Sequence, residues 1–318
     1  MKSLGSIKVI SSGFQTTIQD LGRYGYAHLG VSPSGAADSV SLRLANLLVG
    51  NRQDAAGLEM TLVGGAFEFE SSCVVALAGS DFGATLDGQR LPLWTSALVK
   101  AGQVLRCGST QSGARSYLCI RGGVSVPHVL GSASTHVMTS LGGFQGRPLR
   151  AGDVISYQEP PGGASFRPQR VKETALQQLV KREAVRVTLG PQADLFSDEV
   201  RSLFASSVYH VAEQANRMGL RLSGPPLKRR VAADLVTEGV PLGAVQVPHD
   251  GEPIILFVEH QTTGGYPKIA SVVSADIHLV GQLRPRDVVR FEFISVERAV
   301  ELLGKQEDLI STQSLESL

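Results

Sequence analysis

Short apolar runs broken by glycine, serine or aspartate dominate this chain. Ile7–Ile10, Val74–Ala78, Leu98–Val99, Val104–Leu105 and Tyr117–Ile120 are too short for helices and rich in β-branched residues, so they predict strands. Asp87-Gly88, set between Ala84-Thr85-Leu86 and Leu91-Pro92-Leu93, predicts a hairpin. Two stretches carry a helical period instead. Asp38–Val49 places Val40, Leu44, Leu47 and Leu48 on one stripe, with Ser34 or Asp38 near its start and Gly50 at its end. Ser197–Phe204 aligns Val200, Leu203 and Phe204 after a capping Ser197. A charged helical piece is predicted over Lys172–Glu183 and a last helix over Val296–Leu303. The polar tail beyond it, Ser311–Leu318, is expected to fray.

The pattern repeats. Ile7-Lys8-Val9-Ile10 leads into Gly13-Phe14-Gln15, and Val185-Arg186-Val187-Thr188 leads into Gly190-Pro191-Gln192. A helix and a Leu-Arg-Leu follow in each half, Leu42-Arg43-Leu44 and Leu220-Arg221-Leu222. Each half then closes on a similar turn, Leu149-Arg150-Ala151-Gly152-Asp153-Val154 and Leu283-Arg284-Pro285-Arg286-Asp287-Val288. Three echoes in one order favour a duplicated unit over chance recurrence. The predicted organisation is a first domain over 1–160, a linker over 161–184 that opens on Pro161-Gly162-Gly163, a second domain over 185–295, and a helix with tail over 296–318.

Composition narrows the classes. The 318 residues suffice for two domains, and 35 glycines without a collagen period suit a turn-rich β fold. Lys and Arg at 30 against Asp and Glu at 29 give a net charge of +1, which offers no attraction to nucleic acid or an anionic membrane. Cys73, Cys107 and Cys119 are odd in number and sit in apolar surroundings, so buried thiols are expected. No apolar stretch approaches the roughly 18 residues of a membrane span, and the N-terminus lacks a signal-peptide core, so a cytoplasmic setting is expected.

The familiar catalytic motifs are missing. There is no phosphate-binding Gly-x-x-x-x-Gly-Lys-Ser/Thr, no Gly-x-Ser-x-Gly elbow, no Cys-x-x-Cys and no His-Glu-x-x-His, so no metal site is predicted. What remains are polar clusters. His260-Gln261-Thr262-Thr263-Gly264-Gly265-Tyr266-Pro267-Lys268 follows an apolar strand, and it reads equally as a hairpin loop with a solvated lysine or as an anion-holding turn. In the second reading the glycine pair takes positive φ, aims backbone N–H groups at the anion, and Lys268 adds charge. Gln15-Thr16-Thr17-Ile18-Gln19-Asp20 is a second cluster, and Gln246 lies in a third that ends in the Asp250-Gly251 turn. Arg217 is either an exposed charge or a fork for a carboxylate, and Asn46 sits on the helix stripe, where packing is the commoner reason for an amide.

Taken in order, these segments resemble the biotin-dependent carboxyltransferase family in its broad sense. The resemblance is carried by Gln15–Arg23, Leu42–Asn51, Gly122–Pro127, Leu130-Gly131-Ser132, Gly142-Gly143-Phe144, Arg217-Met218-Gly219 and Gln261–Ala270. The chain departs from the family pattern at Ala37, Ala133, His136 and Glu259-His260. The resemblance implies a mainly β fold of two tandem cyclophilin-like β-barrel domains with a few short helices. Family activities span an ATP-dependent 5-oxoprolinase, carboxyl transfer to urea, and regulation by binding a kinase-inhibitor-like protein. The first implies ATP with Mg2+ shared with a partner, a B subunit similar to allophanate hydrolase subunit 1, a LamB/YcsF-like hydrolytic A subunit, and no biotin on this chain. On that resemblance Lys268, Asp276 and Asn46 are the catalytic candidates, with Asp276 orienting Lys268. Arg217, Gln246, Gln261, Gly264, Gly265, Tyr266 and Gln15 are the substrate-binding candidates.

Overall fold

The strand Cys73–Gly79 explains why its sequence is apolar without alternation. Successive side chains of a strand point to opposite faces. Here Val75 and Leu77 enter one hydrophobic core, while Val74, Ala76 and Ala78 enter another. Its neighbour Arg115–Ile120 divides the same way, with Leu118 and Ile120 on one side and Tyr117 and Cys119 on the other. A strand covered on both faces reads as a continuous apolar run.

The computed structural model describes residues 4–158, 166–180, 183–230 and 235–318. The predicted linker motif Pro161-Gly162-Gly163 lies outside the described residues. The chain divides into two units, one of Met1–Arg23, Ser34–Leu179 and Asp308–Leu318, the other of Tyr24–Pro33 and Val180–Glu307. The fold is mainly β, with a nearly closed barrel sheet and a few helices, in keeping with the mainly β fold expected from the sequence.

In the first unit, one six-stranded antiparallel sheet runs in the order Val154–Gln158, Leu4–Ser11, Ala66–Phe69, Val104–Arg106, Thr85–Leu86, Gln89–Arg90. A second sheet of seven strands is ordered Gln15–Gln19, Gly57–Thr61, Arg115–Ile120, Cys73–Gly79, Thr95–Val99, Gln169–Val171, Leu315–Ser317. Ile7, Val9 and Phe67 of the first sheet share a core with Leu58, Val75 and Leu118 of the second. The other face of the second sheet is covered by the helix Ser39–Leu48, whose N-cap Asp38 accepts from Ser41 N at 2.9 Å. Asp87 and Gly88 both have positive φ, +48° and +83°, and join Thr85–Leu86 to Gln89–Arg90 as the Asp-Gly pair predicts.

The second unit contains an eight-stranded sheet. Its order is Val288–Val289, Tyr209–Val211, Gly219–Ser223, Ile254–Leu256, Ala244–Gln246, Lys268–Val272, Val185–Leu189, Phe291–Phe293. The two edge strands are separated in sequence by Arg290 alone. One residue spans only about 3.5 Å, so the edges must meet and the sheet curls into a nearly closed barrel. The helix Asp198–Ser206, capped by Ser197 as predicted, packs Phe204 on Phe291 with ring centroids 4.4 Å apart.

Two expectations need correction. The helix Glu173–Val180 is not linker: Ala175 and Leu179 fill the first unit's core beside Val40 and Leu44. Nor does the tail fray, since Leu315–Ser317 pairs with Gln169–Val171, and Ile310 is buried in the same core. Two apolar residues among the polar ones, Ile310 and Leu315, hold the tail to this core.

The echoed closing turns are built alike. Arg150 N donates to Asp153 Oδ2 at 2.7 Å, and Arg284 N donates to Asp287 Oδ2 at 2.8 Å. Gly152 has φ +92° at the position where Arg286 has φ +73°, so the second copy holds a side chain where the first has glycine. None of the three cysteines is in a disulfide, all are buried, and burial pushes the Cys107 thiol up to about 12.

Candidate functional site

Lys268 opens the strand Lys268–Val272 inside the second unit, opposite Gln246 on Ala244–Gln246. It is 1% exposed, so its ammonium has left bulk water and needs a partner. The partner is Glu238, whose Oε1 accepts from Lys268 Nζ. Gln192 Nε2 donates to the same oxygen at 2.7 Å. Gln192 is in turn tied to the lysine backbone, its Oε1 accepting from Lys268 N at 3.2 Å and its N donating to Lys268 O at 3.3 Å. Gly190 permits that approach, since a Cβ there would stand 2.2 Å from Lys268 O. The Lys268 hydrogen bond, followed by that of Gln192, holds the Glu238 carboxyl below its ordinary range.

Around this centre lie further predicted residues. Gln261 Nε2 donates to Gln246 Oε1 at 3.4 Å, and Gln246 Nε2 reaches Tyr266 O at 3.5 Å. A Cβ at Gly264 would come within 2.9 Å of Gln246 Nε2, so the backbone here runs close against that amide. Gly264 pairs with Glu238 in a separate two-stranded ribbon formed by Glu238–Gly239 and Thr263–Gly264. Gly265 and Tyr266 line a pocket of about 170 Å³ with Leu235, Arg229 and His249. Arg229 Nη2 and His249 Nδ1 lie 2.5 Å apart, and the Tyr266 ring meets the His249 ring edge-on with centroids 6.1 Å apart. His260 is buried, which holds its imidazole below the usual range, with Nδ1 2.6 Å from Gln261 O.

Several sequence expectations are corrected here. Neither Gly264 nor Gly265 has φ in the left-handed region, so the expected anion-holding turn of backbone N–H groups is not formed. Asp276 does not orient Lys268. It is 0% exposed and accepts from the backbone N of Arg186 at 2.8 Å, from its Nε at 2.9 Å and from its Nη2. Arg217 is not a bare fork awaiting a carboxylate, for its Nε donates to Glu259 Oε1 at 2.5 Å, and both side chains are buried.

Asn46 and Gln15 belong to the first unit. The Asn46 amide is engaged locally, with Nδ2 on Ala55 O at 2.7 Å and Oδ1 accepting from Asn51 Nδ2 at 3.0 Å. It joins the helix to the loop that follows. Gln15 begins the strand that pairs with Gly57–Thr61. The rest of its cluster is a clasp: Asp20 accepts from Ser132 Oγ at 2.6 Å, Ala133 N at 2.6 Å and Ser134 Oγ at 2.5 Å.

Gln192 and Glu238 are functional candidates that sequence reasoning missed. Gln192 carried a signal, because the internal repeat aligns Gly190-Pro191-Gln192 with Gly13-Phe14-Gln15. Glu238, in Thr237-Glu238-Gly239, carried none. Among the described residues no group of three or more His, Cys, Asp and Glu is placed to hold a metal ion. Nor, among them, is any helix long and apolar enough to cross a membrane.

The profile of the carboxyltransferase domain, subdomain A and B, matches residues 29–293. The chain is 39% identical over 307 residues to the 5-oxoprolinase C subunit of Escherichia coli strain K12, covering 95% of each. It is 36% identical to the urea amidolyase of Saccharomyces cerevisiae, covering 96% of this chain and 18% of that protein. The crystal structure of the K. lactis urea amidolyase superposes with a TM-score of 0.91 at 34% identity, covering 96% of this chain and 20% of that one. These urea-acting relatives are several times longer than the present chain.

Proposed function

Because this chain belongs to the carboxyltransferase domain family, subdomains A and B, we propose that it is the C subunit of an ATP-dependent 5-oxoprolinase. In this reading it works with a B subunit to activate 5-oxoproline by phosphorylation, and an A subunit completes hydrolysis to glutamate. The observation that carries the reading is the end-to-end match to a 5-oxoprolinase C subunit, 95% of both chains at 39% identity.

The chemistry accounts for the requirement for ATP. A lactam carbonyl is resonance-stabilised and a poor electrophile, and its nitrogen is a poor leaving group. Phosphorylating the amide oxygen yields an imidate that water attacks. The chain's share is then positioning and charge neutralisation. Lys268 supplies a desolvated ammonium, and Gln246 and Gln261 supply amides that can hydrogen-bond a planar lactam. One ammonium with a few neutral amides suits a single oxyanion. They fall short of a triphosphate with its Mg2+, so the nucleotide site is assigned to the partner or shared with it.

A second reading, carboxyl transfer in a urea carboxylase-like assembly, is favoured by the close superposition on the K. lactis urea amidolyase. Co-expression with candidate partners separates the two. The expected result is ADP release dependent on 5-oxoproline, lost in Lys268→Ala. ADP release only with urea and bicarbonate would reverse the ranking, and full turnover by Lys268→Ala would remove this lysine from the chemistry.

A further inference from the structure

Lys268 and Glu238 are unequal partners. The lysine side chain is 2% exposed and the glutamate side chain 46%. A buried ammonium without an anion loses several kcal/mol of solvation. A half-exposed carboxylate returns to water at little cost. Both donors that hold Glu238, Lys268 Nζ and Gln192 Nε2, converge on one oxygen, Oε1. Those donors are also fixed to each other without Glu238, through the two hydrogen bonds between Gln192 and the Lys268 backbone. Glu238 has no such anchorage. It lies on a two-residue strand outside the eight-stranded sheet, paired among the described residues only with Thr263–Gly264.

We propose that Glu238 is a displaceable placeholder in an oxyanion subsite formed by Lys268 Nζ and Gln192 Nε2, which a ligand's carboxylate or phosphoryl oxygen enters as Glu238 swings out. The subsite is preorganised, because its two donors are already aimed at one point. The placeholder compensates the buried ammonium while the site is empty, at the expense of competing with the ligand. The short ribbon that bears Glu238 also bears Gly264, close to the Gln246 amide, so the placeholder sits beside the glutamine pair.

The proposal rests on the reading of Lys268 as an oxyanion-holding group, yet its test needs no turnover. The isolated full chain is titrated at neutral pH with orthophosphate and separately with 5-oxoproline, by calorimetry in a low-chloride buffer. Removing the competitor in Glu238→Gln is expected to tighten binding of the cognate anion about ten-fold, which is about 1.4 kcal/mol. Lys268→Met is expected to abolish that binding, and Gln192→Ala to weaken it several-fold. The arm that responds identifies the source: 5-oxoproline alone marks a substrate-carboxylate subsite, orthophosphate alone a phosphoryl subsite. Circular dichroism checks that each variant is folded, and Gln192→Ala, which leaves the ion pair in place, tests the subsite even if Glu238→Gln does not fold. Unchanged or weaker binding of both anions by folded Glu238→Gln, or no binding to either protein, overturns the placeholder. Retained binding by Lys268→Met overturns the subsite. Loss of the oxoprolinase reading looks different: the assembled complex fails to release ADP with 5-oxoproline while the Glu238→Gln gain persists.

Discussion

Two buried cations of the second unit meet their carboxylates in opposite ways. Arg186 and Asp276 are both withdrawn from water, at 7% and 0% exposure, and the carboxylate takes three donors from one residue. Lys268 is equally withdrawn, but Glu238 stands half in solvent and shares one oxygen between two donors. The first pair fastens the strand Val185–Leu189 to the turn ahead of the helix Ile277–Val280. Neither member can leave without stranding the other. The second pair can open, because one member has water to go to. A buried charge thus marks a structural lock when both partners are dry, and an exchangeable site when only one is.

The largest effect that tests this contrast is Arg186→Met, which leaves the Asp276 carboxylate buried without its fork. A loss of about 3–5 kcal/mol is expected in urea denaturation. A midpoint equal to the parent's would break the contrast. Lys268→Met sharpens it from the other side. The orphaned Glu238 moves into water, so the midpoint should shift several-fold less than in Arg186→Met. Even that small difference depends on pH in a set direction. Glu238 is held below its ordinary value of 4.5, so its contribution is present at neutral pH and is lost only as pH falls through the depressed folded value. The parent and Lys268→Met should therefore converge below about pH 4.5 and stay apart above it. The smallest change is Gln192→Ala, which removes one of the two hydrogen bonds that depress Glu238. A carbon-detected NMR titration should show that carboxyl rising toward its ordinary value. No movement would mean that Gln192 does not contribute to the subsite.

The closing turns show how much of the fold is legible in the order of residues. Leu149–Val154 and Leu283–Val288 share an Arg and an Asp three residues apart, and both fold onto the same hydrogen bond from the arginine N to the aspartate. The Ser197 and Asp38 caps, the Asp87-Gly88 hairpin and the buried cysteines are readable for the same reason. Each depends on residues within a few positions of one another. The candidate site is readable as a list of residue types more than as a set of partnerships. Lys268, Gln246 and Gln261 gather in one place, yet the acid beside the lysine is Glu238 and not Asp276.

Local chemistry therefore settled the strands, turns, caps and the family resemblance, because hydrogen bonds between near neighbours and alternation along a strand are written directly in the amino-acid order. Tertiary structure alone decided which charges pair. Lys268 meets Glu238 across 30 residues and Arg186 meets Asp276 across 90, and no periodicity carries information over such separations. It also decided why Gly190 is glycine, since the obstacle is the Lys268 backbone carbonyl brought in from another strand. Burial made the final distinction, because dryness on one side or both turns the same ion-pair chemistry into a site or a lock.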